Sequence, residues 1–280
     1  MSISRRAARL LFIDSGLGGL TVLRAARASM PEACVRYIAD DAGFPYGSKS
    51  DAELIARLIA LIAPAAREFA PDCIVLACNT ASTIALEALR RSFTVPIVGT
   101  VPAVKPAAAL TRSGLVSVLA TPATVAREYT RALIGRFGAG ARFTLTGAPA
   151  LAALAEAYAS GGSVNGEAIA REIAPAFVEA DGTKTDVVVL GCTHFPLLLE
   201  RLDALAPWPV VWLDPAPAIA RRIANVLAEA GHIVGVGAKR SLGEIRFTSG
   251  QRPSPALLRL LKSHHLTLPV SGPASGRVPS

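Results

Sequence analysis

A chain of 280 residues, 51% apolar and only 18% charged, can bury a sizeable core, which excludes a disordered or fibrous protein. The formal net charge of +8 invites a nucleic-acid reading, because Lys and Arg clusters neutralise phosphates. The cations instead stand singly or in pairs such as Arg5-Arg6, Arg90-Arg91 and Arg221-Arg222, without a basic run or a zinc-finger spacing, so a solvated surface and no nucleic-acid partner are expected.

The N-terminal Arg5, Arg6 and Arg9 precede an apolar stretch that is too short for a signal core and runs into Asp14. No apolar segment approaches the roughly 20 residues of a membrane helix, and the four cysteines lack paired spacing, which fits reduced thiols in a cytoplasmic protein. Short apolar runs predict strands at 10–14, 35–40, 73–78, 96–101, 115–120, 143–147, 187–192 and 210–214, with a further candidate at 245–248. Helical spacing of apolar residues falls at 51–69, 83–93, 124–137, 167–178, 196–205 and 219–230. This alternation predicts an α/β fold of doubly wound parallel sheets. Pro and Gly clusters near 101–106 and 214–217 allow two lobes: 1–102 with 214–265 as a discontinuous first lobe, and 103–213 as the second. Residues 266–280 read as a mobile tail.

Parallel sheets bind ligands beyond the carboxyl ends of their strands. Asp14-Ser15, Asp40-Asp41, Cys78-Asn79-Thr80, Thr121 and Cys192-Thr193-His194 each close a predicted strand. Two of these segments share a layout, an apolar run ending in a cysteine with hydrogen-bonding neighbours and then a helix. Helix-terminal N–H groups favour a thiolate and bind carboxylates, so Cys78 and Cys192 are candidate reactive thiols. Cys73 begins its strand and Cys34 precedes another, which suits structural roles.

Two rivals remain open at this point. Cys192, His194 and Cys78 supply three zinc-type ligands, but without C-x-x-C or H-x-x-x-H spacing. A thiol hydrolase would use Cys192 with His194 as base, leaving Cys78-Asn79-Thr80 unexplained. The run Ser15-Gly16-Leu17-Gly18-Gly19-Leu20-Thr21 approximates a dinucleotide fingerprint, yet Thr21 stands where the third glycine belongs. A tight turn that brings backbone close to a small ligand fits it better. No pyridoxal site is evident, and none of Lys49, Lys105, Lys184, Lys239 and Lys262 closes a predicted strand, so no cofactor is expected.

Taken in order, four stretches carry a resemblance. They are Phe12-Ile13-Asp14-Ser15-Gly16-Leu17-Gly18-Gly19, Tyr37-Ile38-Ala39-Asp40 with Phe44-Pro45-Tyr46-Gly47, Ala77-Cys78-Asn79-Thr80-Ala81-Ser82, and Gly191-Cys192-Thr193-His194-Phe195-Pro196-Leu197-Leu198. Together they resemble the glutamate branch of the aspartate/glutamate racemase superfamily. The resemblance implies two similar lobes facing each other across the substrate, one catalytic cysteine from each, and a cofactor-independent isomerase. It also implies glutamate as substrate, D-glutamate supply for peptidoglycan and a homodimer. Asp14, Ser15, Tyr46, Gly47, Asn79, Thr80, Thr193 and His194 would then contact the amino acid. Asp14 would assist Cys78, and Glu156 with His194 would assist Cys192.

Two departures from the family pattern bear on the remaining residues. Ala148 stands where the family has Cys, although Pro149 and Glu156 remain; Ala123 stands where it has Gly, which leaves Thr121 and Thr124 as candidate contacts. Racemisation moves a proton off one face of the α-carbon and returns one to the other, so it needs two opposed acid/base groups in opposite protonation states. By resemblance, Cys192 deprotonates and Cys78 reprotonates in the L-to-D direction.

Overall fold

The computed structural model describes residues 6–232 and 241–269. In chain order the elements begin β1 (Arg9–Asp14), α1 (Leu20–Ser29), β2 (Cys34–Ala39), α2 (Asp51–Phe69), β3 (Cys73–Leu76), α3 (Asn79–Ser92) and β4 (Ile97–Gly99). They continue with α4 (Val104–Leu110), β5 (Leu115–Ala120), α5 (Pro122–Val125), α6 (Glu128–Phe137), β6 (Arg142–Gly147), α7 (Leu151–Ala159) and α8 (Gly166–Ile173). Then come β7 (Glu179–Ala180), β8 (Thr183–Lys184), β9 (Val187–Leu190), α9 (Leu199–Leu205), β10 (Val211–Leu213), α10 (Ala216–Glu229), β11 (Gly243–Phe247), α11 (Pro255–Ser263) and β12 (Leu266–Thr267).

Two parallel sheets carry the fold, one ordered β12-β11-β2-β1-β3-β4 and the other β10-β9-β5-β6. The alternation of side chains along β1 explains why it reads as one apolar run. Leu10 and Phe12 pack with Leu20 and Leu23 of α1 and Ile219 and Ile223 of α10. Leu11 and Ile13 pack on the other face with Leu54 and Leu58 of α2 and Ala81 and Ala85 of α3. A strand covered on both faces has no polar side. In the second sheet Leu119, Val188 and Leu190 face Leu151, Ile169 and Leu202, whereas Val116, Val118, Val187 and Val189 face Ala107 of α4. Each fully buried Leu or Ile contributes about 1.5–3 kcal/mol relative to exposure, so the strand middles fix the register and the strand ends are free to carry polar residues.

Local signals set several boundaries. Ser50 caps α2 by accepting from the Glu53 N–H, while the Ser50 N–H donates to the Glu53 carboxylate at 2.9 Å. Asn79 through Ser82, expected outside a helix beginning at 83, form the first turn of α3, because Cys78 already occupies its N-cap. The predicted 124–137 helix is two helices: Arg127 is extended between them (ψ 136°), and the Thr130 hydroxyl donates back to Thr124 O at 2.8 Å. The 167–178 helix ends at Ile173 and passes into a 3-10 turn, Ala174–Ala176, where Pro175 has no N–H to continue the ladder. The 196–205 helix likewise opens as a 3-10 turn, Phe195–Leu198.

Helices α1, α4, α7 and α11 lie outside the helices predicted from apolar spacing, as does the β7–β8 hairpin, whose turn holds Asp181 and Gly182 at φ of 53° and 73°. Asp-Gly at two positive-φ positions is a hairpin signature that the sequence carries openly. The tail reading needs correction at its start: Leu266 and Thr267 pair with Gly243 and Glu244, and Leu266 is buried. Residues 270–280 lie outside the described residues. No described helix is long and apolar enough to cross a membrane.

Candidate active site

The polar residues that close the strands gather where the two sheets present their carboxyl ends to one another. From the first sheet, β1 ends in Asp14 and leads through Ser15 into the glycine turn, and β3 runs through Ala77 to Cys78 at the start of α3. From the second, β5 runs into Thr121 and β9 runs through Gly191 to Cys192, Thr193 and His194. Cys78 and Cys192 are each only 6% exposed. They are close enough for charge on Cys192 to raise the Cys78 pKa.

The surroundings of the two sulfurs differ. Cys78 Sγ lies 4.0 Å from Ser15 Oγ, and burial together with the charge of Asp14 pushes its thiol well above the ordinary value. Asp14 is itself fully buried, which raises its pKa; the Gly19 N–H donates to its Oδ2 at 2.9 Å. Cys192 Sγ lies 3.9 Å from His194 Nδ1, and His194 Nε2 lies 2.8 Å from Glu156 Oε2. Burial alone would lower the His194 pKa, but its bonds to Cys192 and Glu156 and the charge of Asp14 outweigh burial and raise it well above the ordinary value. His194 thus bridges the Cys192 sulfur and the Glu156 carboxylate with its pKa raised.

Contacts across the lobes enclose these groups. Glu156 Oε2, carried on α7, accepts from the Leu17 N–H of the glycine turn at 3.0 Å. The Thr21 hydroxyl donates to Gly18 O and Thr193 O. Thr80 Oγ1 lies 3.0 Å from Thr121 Oγ1 and 3.4 Å from Thr124 Oγ1. The glycines are explained by closeness: a methyl at Gly16 would sit 2.7 Å from the Glu156 carboxylate oxygens, and one at Gly18 would run into the His194 ring. The turn therefore receives a carboxylate–imidazole pair from the opposite lobe.

Several buried polar atoms in this region have no hydrogen-bond partner within the protein: Asn79 Oδ1 and Nδ2, Thr193 Oγ1 and Asp14 Oδ1. Donors and acceptors of this kind around two thiols suit a small zwitterion bearing both carboxylate and ammonium. The Tyr46 hydroxyl donates to Asp40 Oδ2 at 2.8 Å, so contact of this residue with a ligand is left to its ring or backbone. Gly47 faces Ala123, where an added methyl would stand 3.3 Å from the Ala123 Cβ. Sequence reasoning missed the supports behind these groups. Arg57 and Thr248 hold Asp40, Ser82 Oγ accepts from the Thr100 N–H at 2.9 Å, and Tyr37 OH donates to Gly16 O at 2.9 Å. Only the Ser in Ala81-Ser82 and the Tyr in Tyr37-Ile38-Ala39-Asp40 stood inside noted motifs. Among the described residues no three His, Cys, Asp or Glu side chains converge as metal ligands.

Comparison with known proteins gives a consistent picture. Residues 21–223 match the family model described as Asp/Glu/Hydantoin racemase. Glutamate racemase of Brucella canis is 50% identical over 258 residues, covering 92% of each chain. That of Mesorhizobium japonicum is 53% identical over 219 residues, 78% of this chain and 84% of the relative. The crystal structure of Escherichia coli glutamate racemase in complex with L-glutamate and the activator UDP-MurNAc-Ala superposes with a TM-score of 0.82. That pair is 37% identical, over 94% of this chain and 97% of the other.

Proposed function

This chain belongs to the Asp/Glu/Hydantoin racemase family, and from that premise we propose that it interconverts L- and D-glutamate by passing the α-proton between Cys78 and Cys192. The observation that carries the reading is the pairing of two buried thiols, one at a strand end of each sheet, with unpartnered polar atoms of Asn79, Thr193 and Asp14 around them. In this reading 1–102 with 214–265 is one lobe, extended by β12, and 103–213 is the other. Two lobes supply what a single strand end cannot: acid/base groups on opposite faces of one carbon.

The two sulfurs differ in their surroundings. His194, its pKa raised, stands 3.9 Å from Cys192 Sγ, whereas burial and the charge of Asp14 raise the Cys78 pKa. In the proposed mechanism a proton leaves toward Cys192 and one returns from Cys78, the direction assigned to L-to-D turnover. Asn79, Thr80 and Thr193 would hold the α-carboxylate, while Asp14 and Ser15 would engage the ammonium; Gly47, Thr121 and Thr124 would be further contacts with the amino acid. Preorganised donors in a closed site lower the energy of the carbanion that forms between the two transfers. The biological setting we infer is a cytoplasmic homodimer supplying D-glutamate for peptidoglycan.

The Cys192–His194–Glu156 row has the order of a thiol-hydrolase triad, which gives the rival reading a specific basis. One experiment separates the two. Purified protein with L-glutamate in deuterium oxide, without added cofactor, should wash deuterium into the α-position and lose optical rotation. Absence of exchange, or amide and ester hydrolysis that survives Cys78→Ala, would overturn the racemase reading.

A further inference from the structure

Tyr37 is fully buried at the centre of the first sheet, in register with Phe12, and the two rings stack with centroids 6.2 Å apart and planes within 7°. Its ring packs among apolar side chains while its hydroxyl reaches the polar end of the face, beside Asp14. It donates to Gly16 O at 2.9 Å and lies 3.5 Å from Asp14 Oδ2. Burial pushes its pKa well above the ordinary tyrosine value, so it remains a donor throughout the working range. The turn it holds is the piece of backbone on which both half-sites rest. On one side Gly19 N–H fixes Asp14, the carboxylate beside Cys78. On the other side Leu17 N–H fixes Glu156, which holds His194 beside Cys192.

We infer that Tyr37 is a positioning residue for proton transfer, its single hydroxyl setting the Gly16–Gly19 turn that aligns Asp14 and the Glu156–His194 pair at once. The inference deepens the racemase reading and rests on it. No part of Tyr37 reaches the reacting atoms in this account; it acts through the turn. Removing the hydroxyl while keeping the ring leaves Gly16 O without its buried donor and lets the turn relax, which loosens Leu17 N–H from Glu156. His194 then loses part of what raises its pKa; the charged or titratable groups facing it are Glu156, Cys192 and Asp14.

The test is Tyr37→Phe, measured for glutamate racemisation across pH beside wild type. Ser117→Ala is the control, since Ser117 is another buried hydroxyl, which donates to Ala176 O and to none of the site residues described. Tyr37→Phe should lower kcat about ten-fold, the scale of one lost buried hydrogen bond, with KM within about two-fold. The alkaline limb of its kcat/KM profile should move to lower pH, whereas Ser117→Ala should lower Tm without moving that limb. Gly16→Ala, whose methyl meets the Glu156 carboxylate, should shift the same limb without touching the core. Combined with Glu156→Gln, Tyr37→Phe should add less than its separate effect, because both act through one carboxylate.

A Tyr37→Phe profile superimposable on wild type overturns the inference. An unfolded Tyr37→Phe overturns it too, since the hydroxyl would then serve the fold and not the site. Wild-type exchange in deuterium oxide tests the racemase reading by itself, so inactivity of wild type and indifference to Tyr37 are separate failures.

Discussion

Cys78 and Cys192 reach the centre by the same device, an apolar strand that releases a thiol just before a helical turn, yet their neighbours act in opposite senses. Beside Cys78 stands a buried carboxylate, Asp14, which with burial drives the thiol to hold its proton. Beside Cys192 stands an imidazole whose pKa its bonds to Cys192 and Glu156 and the charge of Asp14 raise against the effect of burial. The difference teaches that two like strand–helix junctions are given different electrostatic surroundings by their neighbours, a carboxylate beside one sulfur and a histidine beside the other.

The strongest way to break this comparison is to remove each sulfur. Cys78→Ala and Cys192→Ala should each cut racemisation by about 10⁴-fold, the upper range for loss of a general acid or base, with circular dichroism unchanged. Cys78→Ser and Cys192→Ser should still eliminate the halide from a β-chloro analogue, which needs one base, but each from the opposite enantiomer. The same enantiomer for both would erase the division of labour.

Changes to the His194 side should come next in size. His194→Asn should lose about 10²-fold in kcat, and Glu156→Gln about ten-fold with an alkaline limb displaced to lower pH. The folded His194 pKa lies above the ordinary 6.5, so its contribution to stability is complete below that pH and is lost as pH rises through the folded value. Urea unfolding followed from pH 6 upward should therefore show a decline that His194→Asn flattens.

The smallest expected effect concerns a contact far from either sulfur. Arg127, at the N-cap of α6, holds Asp51 of α2 through two bonds, one of 2.7 Å, joining the lobes at the surface. Asp51→Asn should change KM about two-fold or less and should do nothing at high salt, as for exposed ion pairs generally. A larger change would mean that closure at the rim, and not the thiol neighbourhoods, governs turnover.

Much of this arrangement was legible from residues because strands buried on both faces must be continuous apolar runs. The polar residue that ends such a run then marks a ligand side, which exposed Asp14, Cys78, Thr121 and Cys192 together. Glu156 was visible only by resemblance, since the alanine-rich α7 around it carries no pattern of its own. The hydrogen bond from Leu17 to Glu156 spans 139 positions, and Tyr37 meets Gly16 only through the pairing of β1 with β2. Periodicity speaks of neighbours along one element and is silent about such meetings. Boundaries failed where a side chain overrode propensity, as with Thr130 closing on Thr124 or Pro175 ending α8.

The tight fit of Gly16 and Gly18 against Glu156 and His194 has a consequence for how such a molecule can change. Neither half can be exchanged for a foreign one as an independent module, because a single extra carbon on the turn would collide with a side chain inherited from elsewhere in the gene. A working hybrid would have to import the turn and the carboxylate–histidine pair together. What descends as a unit is the seam between the halves.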